Sequence, residues 1–150
     1  MQFETPFGPA WASIDGSGAV AAFNFGVGEG DGNDTEVARQ IAEFFAGKRQ
    51  VFDFPLAPRG SDFQKRVWAE LVKIPFGETI SYGELARRTG NPKASRAVGR
   101  ANATNPIALI VPCHRVIGSN GKLTGFGGGL PVKEALLGLE ARQLRLAVGK

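Results

Sequence analysis

Residues 108–118 read ALIVPCHRVIG, and they hold the only cysteine and the only histidine of the 150-residue chain, Cys113 and His114, side by side. An apolar run ending in proline leads into them. Cysteine attacks only as thiolate, and an unassisted thiol ionises near pH 8.5, so a neutral-pH nucleophile needs a base. Histidine is the side chain whose ordinary pKa suits that task. Successive side chains of an extended segment point to opposite faces, so direct pairing of the two is awkward and a bridging water solves the geometry. The second imidazole nitrogen then needs an acceptor to fix the tautomer, and Glu134 and Glu140 of the last predicted helix are both candidates. A lone cysteine is more often a small buried hydrophobe than a catalyst.

Composition narrows the rest. The chain carries 43% hydrophobic and 21% charged residues, the profile of a globular protein. Eleven Phe and two Trp can furnish a substantial core. No stretch approaches the roughly 20 apolar residues of a membrane span, and the opening MQFETPFGPAWAS has neither a basic leader nor an apolar signal core, so the chain reads as intracellular and cytoplasmic. One Cys and one His exclude an internal disulfide and a closed zinc site, and no metal or cofactor is expected. Eighteen Lys and Arg against fourteen Asp and Glu give a net charge of +4, which favours a polyanionic partner.

Outward from the Cys–His pair, the chain divides into two parts of a mixed α/β protein. Residues 1–56 read as a small β-rich domain. GPAWASID and AVAAFNFG are strand-like runs around a GSG hairpin signal, and TEVARQIAEFFAG sets Val37, Ile41, Phe44 and Phe45 on one helical face with Gly47 as its stop. VFDFPLAP reads as an extended linker. Residues 57–150 read as a helical domain. Ser61/Gln64 and Ser81/Glu84 are capping-box pairs, the first opening a helix that buries Phe63, Val67, Trp68 and Leu71. Gly90 stops the second helix, and Pro92 is expected to start the next. These two helices and their Gly-containing turn form a helix-turn-helix candidate. PIALIV reads as a buried strand or extended run, and PVKEALLGLEARQLRL as a closing amphipathic helix.

The second helix of that motif combines small residues (Ala94, Ser95, Ala97, Gly99, Ala101, Ala103) with Lys93, Arg96 and Arg100. Small side chains let a helix enter the minor groove of B-DNA, about half as wide as the major groove. Close helix packing also favours small residues but does not require the three cations.

PCHRVIGSNGKLTGFGGGL, ISYGELA and GNPKASRAVGRANATNP, in this order, resemble the O6-alkylguanine-DNA alkyltransferases, or methylated-DNA–protein-cysteine methyltransferases, over roughly residues 61–142. The resemblance implies repair of double-stranded DNA by a monomer that works in the minor groove. The damaged guanine is flipped out, and its O6-alkyl group, or that on O4 of thymine, moves irreversibly to the cysteine, once per molecule. It implies that Cys113 is the acceptor, His114 its water-mediated activator, and Glu140 rather than Glu134 the partner of the imidazole. Asn105 would order the turn before the active site, and Tyr82 would assist the leaving guanine and contact DNA. Arg96 would fill the space left by the flipped base, with Lys93, Ala94, Ser95 and Arg100 beside it on DNA. Cys113, Val116, Phe126, Gly127 and Gly128 would line the guanine pocket. Phe126 stands where many relatives have Tyr, and Gly127 where they carry Ser or Ala, which implies a wider pocket. Two rival readings remain: a protein that flags alkylated DNA without transfer, in which the acceptor Cys is replaced, and a thiol hydrolase, which would turn over.

Overall fold

The structure is a computed structural model, and it describes residues 1–118 and 129–148. The chain forms two compact units: Met1–Arg59 with Pro106–Ile110, and Gly60–Asn105 with Val111–Lys150. The two-part α/β architecture read from the sequence is found. The division falls at Arg59–Gly60 rather than after residue 56, and Pro106–Ile110 returns to the first unit.

The first unit is a three-stranded antiparallel sheet with one helix. Strands β1 (Gln2–Thr5), β2 (Gly8–Ile14) and β3 (Val20–Phe25) lie in sequence order. Alternation along β2 buries Ala10, Ala12 and Ile14 and leaves the intervening residues more open. Helix α1 (Thr35–Phe45) starts at Asp34, whose carboxylate accepts from the backbone N–H of Glu36 and Val37, and it buries Val37, Gln40, Ile41 and Phe44. Phe45 is only partly covered. Instead it meets the ring edges of Phe7 and Phe44.

The segment expected to be a linker is instead part of this unit. Val20 pairs in parallel with Leu56, through bonds from Val20 N to Pro55 O (2.9 Å) and from Ala57 N to Val20 O (2.8 Å). Phe52 stacks on Phe44, and the buried Gln40 side chain bonds both the backbone and the carboxylate of Asp53. Its prolines made VFDFPLAP look like a spacer, but its alternating Phe residues find aromatic partners.

The second unit is helical. Helix α2 (Asp62–Leu71) opens with the reciprocal Ser61–Gln64 capping box and buries Val67, Trp68 and Leu71, while Phe63 stays half-exposed. Helix α3 (Tyr82–Arg88) starts at Ser81, whose hydroxyl accepts from Glu84 N. Gly90 at φ +83° turns the chain out of it, a conformation that costs an L side chain about 1–2 kcal/mol. Helix α4 (Ser95–Ala103) begins three residues later than Pro92 suggested. Asn91–Ala94 close a turn first, with Ala94 N donating to Asn91 O at 2.9 Å. Strands β4 (Ile80–Ser81) and β5 (Val116–Ile117) pair in parallel, and helix α5 (Leu130–Val148) closes the unit.

The run PIALIV is not a regular strand. Ile107 makes one parallel bridge to Phe23. Leu109 then adopts φ +71°, inside a turn closed by Ile110 N donating to Ala108 O at 2.8 Å. This is a γ-turn of the rare, strained hand. A second one follows at Pro112 (φ −80°, ψ 64°), closed by Cys113 N donating to Val111 O at 2.7 Å. That is the favourable inverse form, and proline, lacking an N–H, could not have continued a ladder there.

Candidate active site

The turn at Pro112 delivers Cys113 into a short 3-10 turn, Cys113–Arg115, whose three side chains are all buried. Both sides of the turn are held from α4 and the residues after it. Asn105 Nδ2 donates to Val111 O at 2.8 Å, and Asn102 Nδ2 donates to Cys113 O at 3.3 Å. Trp68 Nε1 donates to Ala101 O at 2.8 Å and fixes the backbone from which Asn102 springs.

Helix α5 supplies the far wall. Lys133, Leu136 and Glu140 recur at helical spacing and are all buried, so a charged residue stands at each end of an apolar stripe. Glu140 is the hub of the charged groups. Its Oε2 lies 2.7 Å from His114 Nε2, and Arg115 donates from Nε to Oε1 (2.9 Å) and from Nη2 to Oε2 (3.0 Å). Gly77 N adds a fourth bond to Oε1 at 3.0 Å. The close approach needs glycine: at φ +82° a Cβ on Gly77 would also fall 2.0 Å from Leu144 Cδ1. Burial alone would raise the Glu140 carboxyl, but the bonds from His114 and Arg115 outweigh it and hold the group at about 2. It is therefore ionised at neutral pH, accepts at both oxygens, and leaves the proton on His114 Nε2.

That assignment makes His114 Nδ1 a lone-pair acceptor. Burial pushes the imidazole pKa down, against the pull of Glu140, so the ring rests neutral. Nδ1 is fully buried with no hydrogen-bond partner among the described residues. Beside it, burial pushes the Cys113 thiol up to about 11, although Asn105, Lys133 and nearby backbone N–H groups favour the thiolate. Roughly one thiol in 10,000 is ionised at pH 7. The arrangement is a buried neutral thiol beside a neutral imidazole, one nitrogen of which has no partner among the described residues.

Sequence reading overlooked Arg115, Lys133, Asn102 and Gly77. Arg115 also donates to Ile74 O at 2.7 Å and lies over the Phe76 ring. Lys133 donates to Val116 O at 2.6 Å, with its ammonium 5.9 Å from the centre of the Tyr82 ring. Val116 and Tyr82 therefore meet the site through Lys133. Lys133 and Glu140 seven residues apart on the face that carries Leu136 were the available signal for it.

The sequence-predicted DNA-contacting residues of the helix-turn-helix make none of these bonds. Lys93, Ser95, Arg96 and Arg100 are exposed on the turn before α4 and on α4 itself, with Ala94 half-exposed among them. Phe126, Gly127 and Gly128 lie outside the described residues.

Residues 62–142 match the family model described as the 6-O-methylguanine DNA methyltransferase DNA-binding domain. A methylated-DNA–protein-cysteine methyltransferase of Methanosarcina acetivorans is 52% identical over 92% of this chain and 95% of its own. The crystal structure of the O6-methylguanine methyltransferase of Mycobacterium tuberculosis superimposes with a TM-score of 0.84 at 43% identity, covering 95% of this chain and 92% of that one. A Mycobacterium tuberculosis relative crystallised in complex with DNA gives 0.86 at 46% identity with the same coverage. The chain belongs to the O6-methylguanine-DNA methyltransferase family.

Proposed function

We propose that this protein repairs alkylated DNA by moving the alkyl group from O6 of guanine, and from O4 of thymine, onto Cys113, irreversibly and once per chain. The observation that carries this reading is the buried array of Cys113, neutral His114 and ionised Glu140. It is a nucleophile, a base with one nitrogen unpaired, and a carboxylate fixing the other nitrogen. A thiol near pKa 11 cannot wait as thiolate, so its proton leaves as the attack begins. A water between Sγ and His114 Nδ1 would relay that proton. The sulfur lone pair then bonds the alkyl carbon, the carbon–oxygen bond breaks with its electron pair on the base, and the base takes up a proton. Tyr82 would donate a proton or hydrogen bond to it, and Asn105 would hold the Val111 carbonyl and favour the thiolate. No group in the array regenerates a thiol from a thioether, so one transfer ends the life of the molecule as a repair agent.

Access to O6 requires the base to leave the stack, at a cost of a few kcal/mol. The exposed Arg96, near the start of α4, is suited to fill the gap, with Lys93, Ala94, Ser95 and Arg100 along the minor groove. Contacts from the exposed cations Lys93, Arg96 and Arg100 to phosphates would make binding fall with salt. The pocket for the flipped base would be lined by Cys113 and Val116, together with Phe126, Gly127 and Gly128. We assign the work to a monomer in the cytoplasm. No helix among the described residues is long and apolar enough to cross a membrane.

The test is stoichiometry. With duplex carrying methylated guanine in excess, lesions lost should equal chains present, and the reaction should then stop. Continued loss beyond one per chain would indicate a turning-over thiol enzyme. Binding with no loss would indicate a protein that only flags the lesion.

A further inference from the structure

Among the described residues, two buried side-chain polar atoms have no hydrogen-bond partner: His114 Nδ1 and Asn102 Oδ1. Both belong to residues bonded or adjacent to Cys113. Asn102 is 1% exposed, and its orientation is not free to reverse. The Cys113 carbonyl 3.3 Å away can only accept, so it must face the amide nitrogen, and Oδ1 must point elsewhere. The orphan is therefore an acceptor. His114 Nδ1 is also an acceptor, because Nε2 spends its proton on Glu140. Buried polar groups are almost always paired, so a buried orphan oxygen at position 102 implies a partner. Two buried acceptors, one on the residue bonded to the Cys113 carbonyl and one on the residue next to Cys113, together with the thiol donor complement a single molecule, a water. It gives one hydrogen to Nδ1 and one to Oδ1, and its lone pair takes the S–H; three bonds is the usual number for a buried water.

We infer that Asn102 is a positioning residue of alkyl transfer, its Nδ2 fixing the Cys113 carbonyl while its Oδ1 and His114 Nδ1 together hold the water that receives the thiol proton. The inference rests on the relay proposed above and adds a third anchor to it. The Sγ–H proton passes to the water oxygen as a water proton passes to Nδ1. The sulfur then bonds the alkyl carbon, the carbon–oxygen electron pair stays on guanine, and guanine takes up one proton, the equivalent of the one His114 received. Throughout, the hydrogen on Oδ1 stays in place and keeps the water from rotating. The charged groups that act on this centre are Glu140 and Lys133 from α5 and Arg115 from the 3-10 turn, with the Tyr82 ring of α3 against Lys133. None of them occupies Oδ1.

The test is the single-turnover rate of methyl transfer from duplex DNA as a function of pH, for the wild type, Asn102→Leu, His114→Ala and the double variant. Asn102→Leu should be about ten-fold slower at pH 7, with the midpoint of the profile about one unit higher. Its melting temperature should fall modestly, because the Nδ2 bond to the buried Cys113 carbonyl is lost, so the rates are compared well below it. In the His114→Ala background the same change should add nothing, since the water has already lost its other anchor. Asn102→Met, an adaptable side chain of similar length, should repeat the result if the branched leucine fits badly. The inference is overturned if the Leu and Met variants keep the wild-type profile, or if they slow the reaction by the same factor with and without His114. If His114→Ala itself leaves the profile unmoved, the relay fails and takes this inference with it.

Discussion

Arg115 and Glu140 meet as a buried fork, with Nε and Nη2 of the guanidinium donating to both carboxylate oxygens at 2.9 and 3.0 Å. The same carboxylate holds His114 Nε2. One residue after the histidine, the chain thus carries the cation that keeps the histidine's partner ionised. Without Arg115, Glu140 would be a desolvated charge facing a neutral imidazole, and the tautomer of His114 would lose its anchor.

Arg115→Met should therefore destabilise the protein by about 3–5 kcal/mol, the usual cost of orphaning one member of a buried ion pair. Arg115→Lys should recover only part of it, because an ammonium cannot fork across two oxygens. Urea denaturation of both variants measures this. A loss under about 1 kcal/mol for the Met variant would mean that Glu140 finds other partners.

Acid stability should report the same hub. Glu140 is depressed in the folded state from the ordinary 4.5 to about 2, so its contribution is fully present above 4.5 and is lost as pH falls toward 2. At about 1.4 kcal/mol per unit the contribution is about 3 kcal/mol. The exposed carboxylates that are also lowered, such as Glu36 and Glu84, titrate identically in wild type and Glu140→Gln, so the difference between the two isolates Glu140. The stability of Glu140→Gln should fall less steeply between pH 4.5 and 2. Parallel curves would contradict the assignment.

The turn before the nucleophile makes an unusual prediction about glycine. Leu109 is buried yet sits at φ +71°, where an L side chain costs about 1–2 kcal/mol and glycine costs little. Both Leu109→Ala and Leu109→Gly open the same cavity and should destabilise by several kcal/mol. The glycine variant should nonetheless be the more stable of the two by about 1 kcal/mol, the reverse of their order in a helix. Paired thermal melts decide it, and an alanine variant more stable than the glycine one would show that the backbone relaxes out of this conformation.

Much of this was legible in the residues, and what was not has physical causes. Side-chain caps write themselves into local sequence, so Ser61–Gln64 marks the start of α2 within one residue. Pro92 misled because a proline serves a turn as well as a helix start, and only the contacts of α4 decide which. PIALIV looked like a strand because burial alone makes a continuous apolar run; two consecutive γ-turns leave no periodic trace. The uniqueness of Cys113 and His114 singled them out at once. Arg115, Lys133 and Asn102 drew no attention, because no local pattern reveals that a polar residue is buried against a partner distant in sequence.

Recognition and chemistry should separate at Arg96. Its side chain is exposed and has no part in the bonds around Cys113, so Arg96→Ala should leave transfer from a free alkylguanine base nearly unchanged. Transfer from duplex DNA, which alone requires extrusion of the base, should slow by ten-fold or more, as loss of about 1.4 kcal/mol or more implies. Single-turnover rates on the two substrates give the comparison. Equal losses would assign Arg96 to the fold instead.

The most direct measurement is the intact mass of the protein, followed by mapping of the modified peptide, after incubation with a duplex containing O6-methylguanine. The chain should gain one methyl group, located on Cys113, as the DNA loses its methyl. Cys113→Ser should gain nothing while still binding the duplex. An unmodified chain after the lesion has disappeared, or a methyl group on any other residue, would contradict transfer to Cys113.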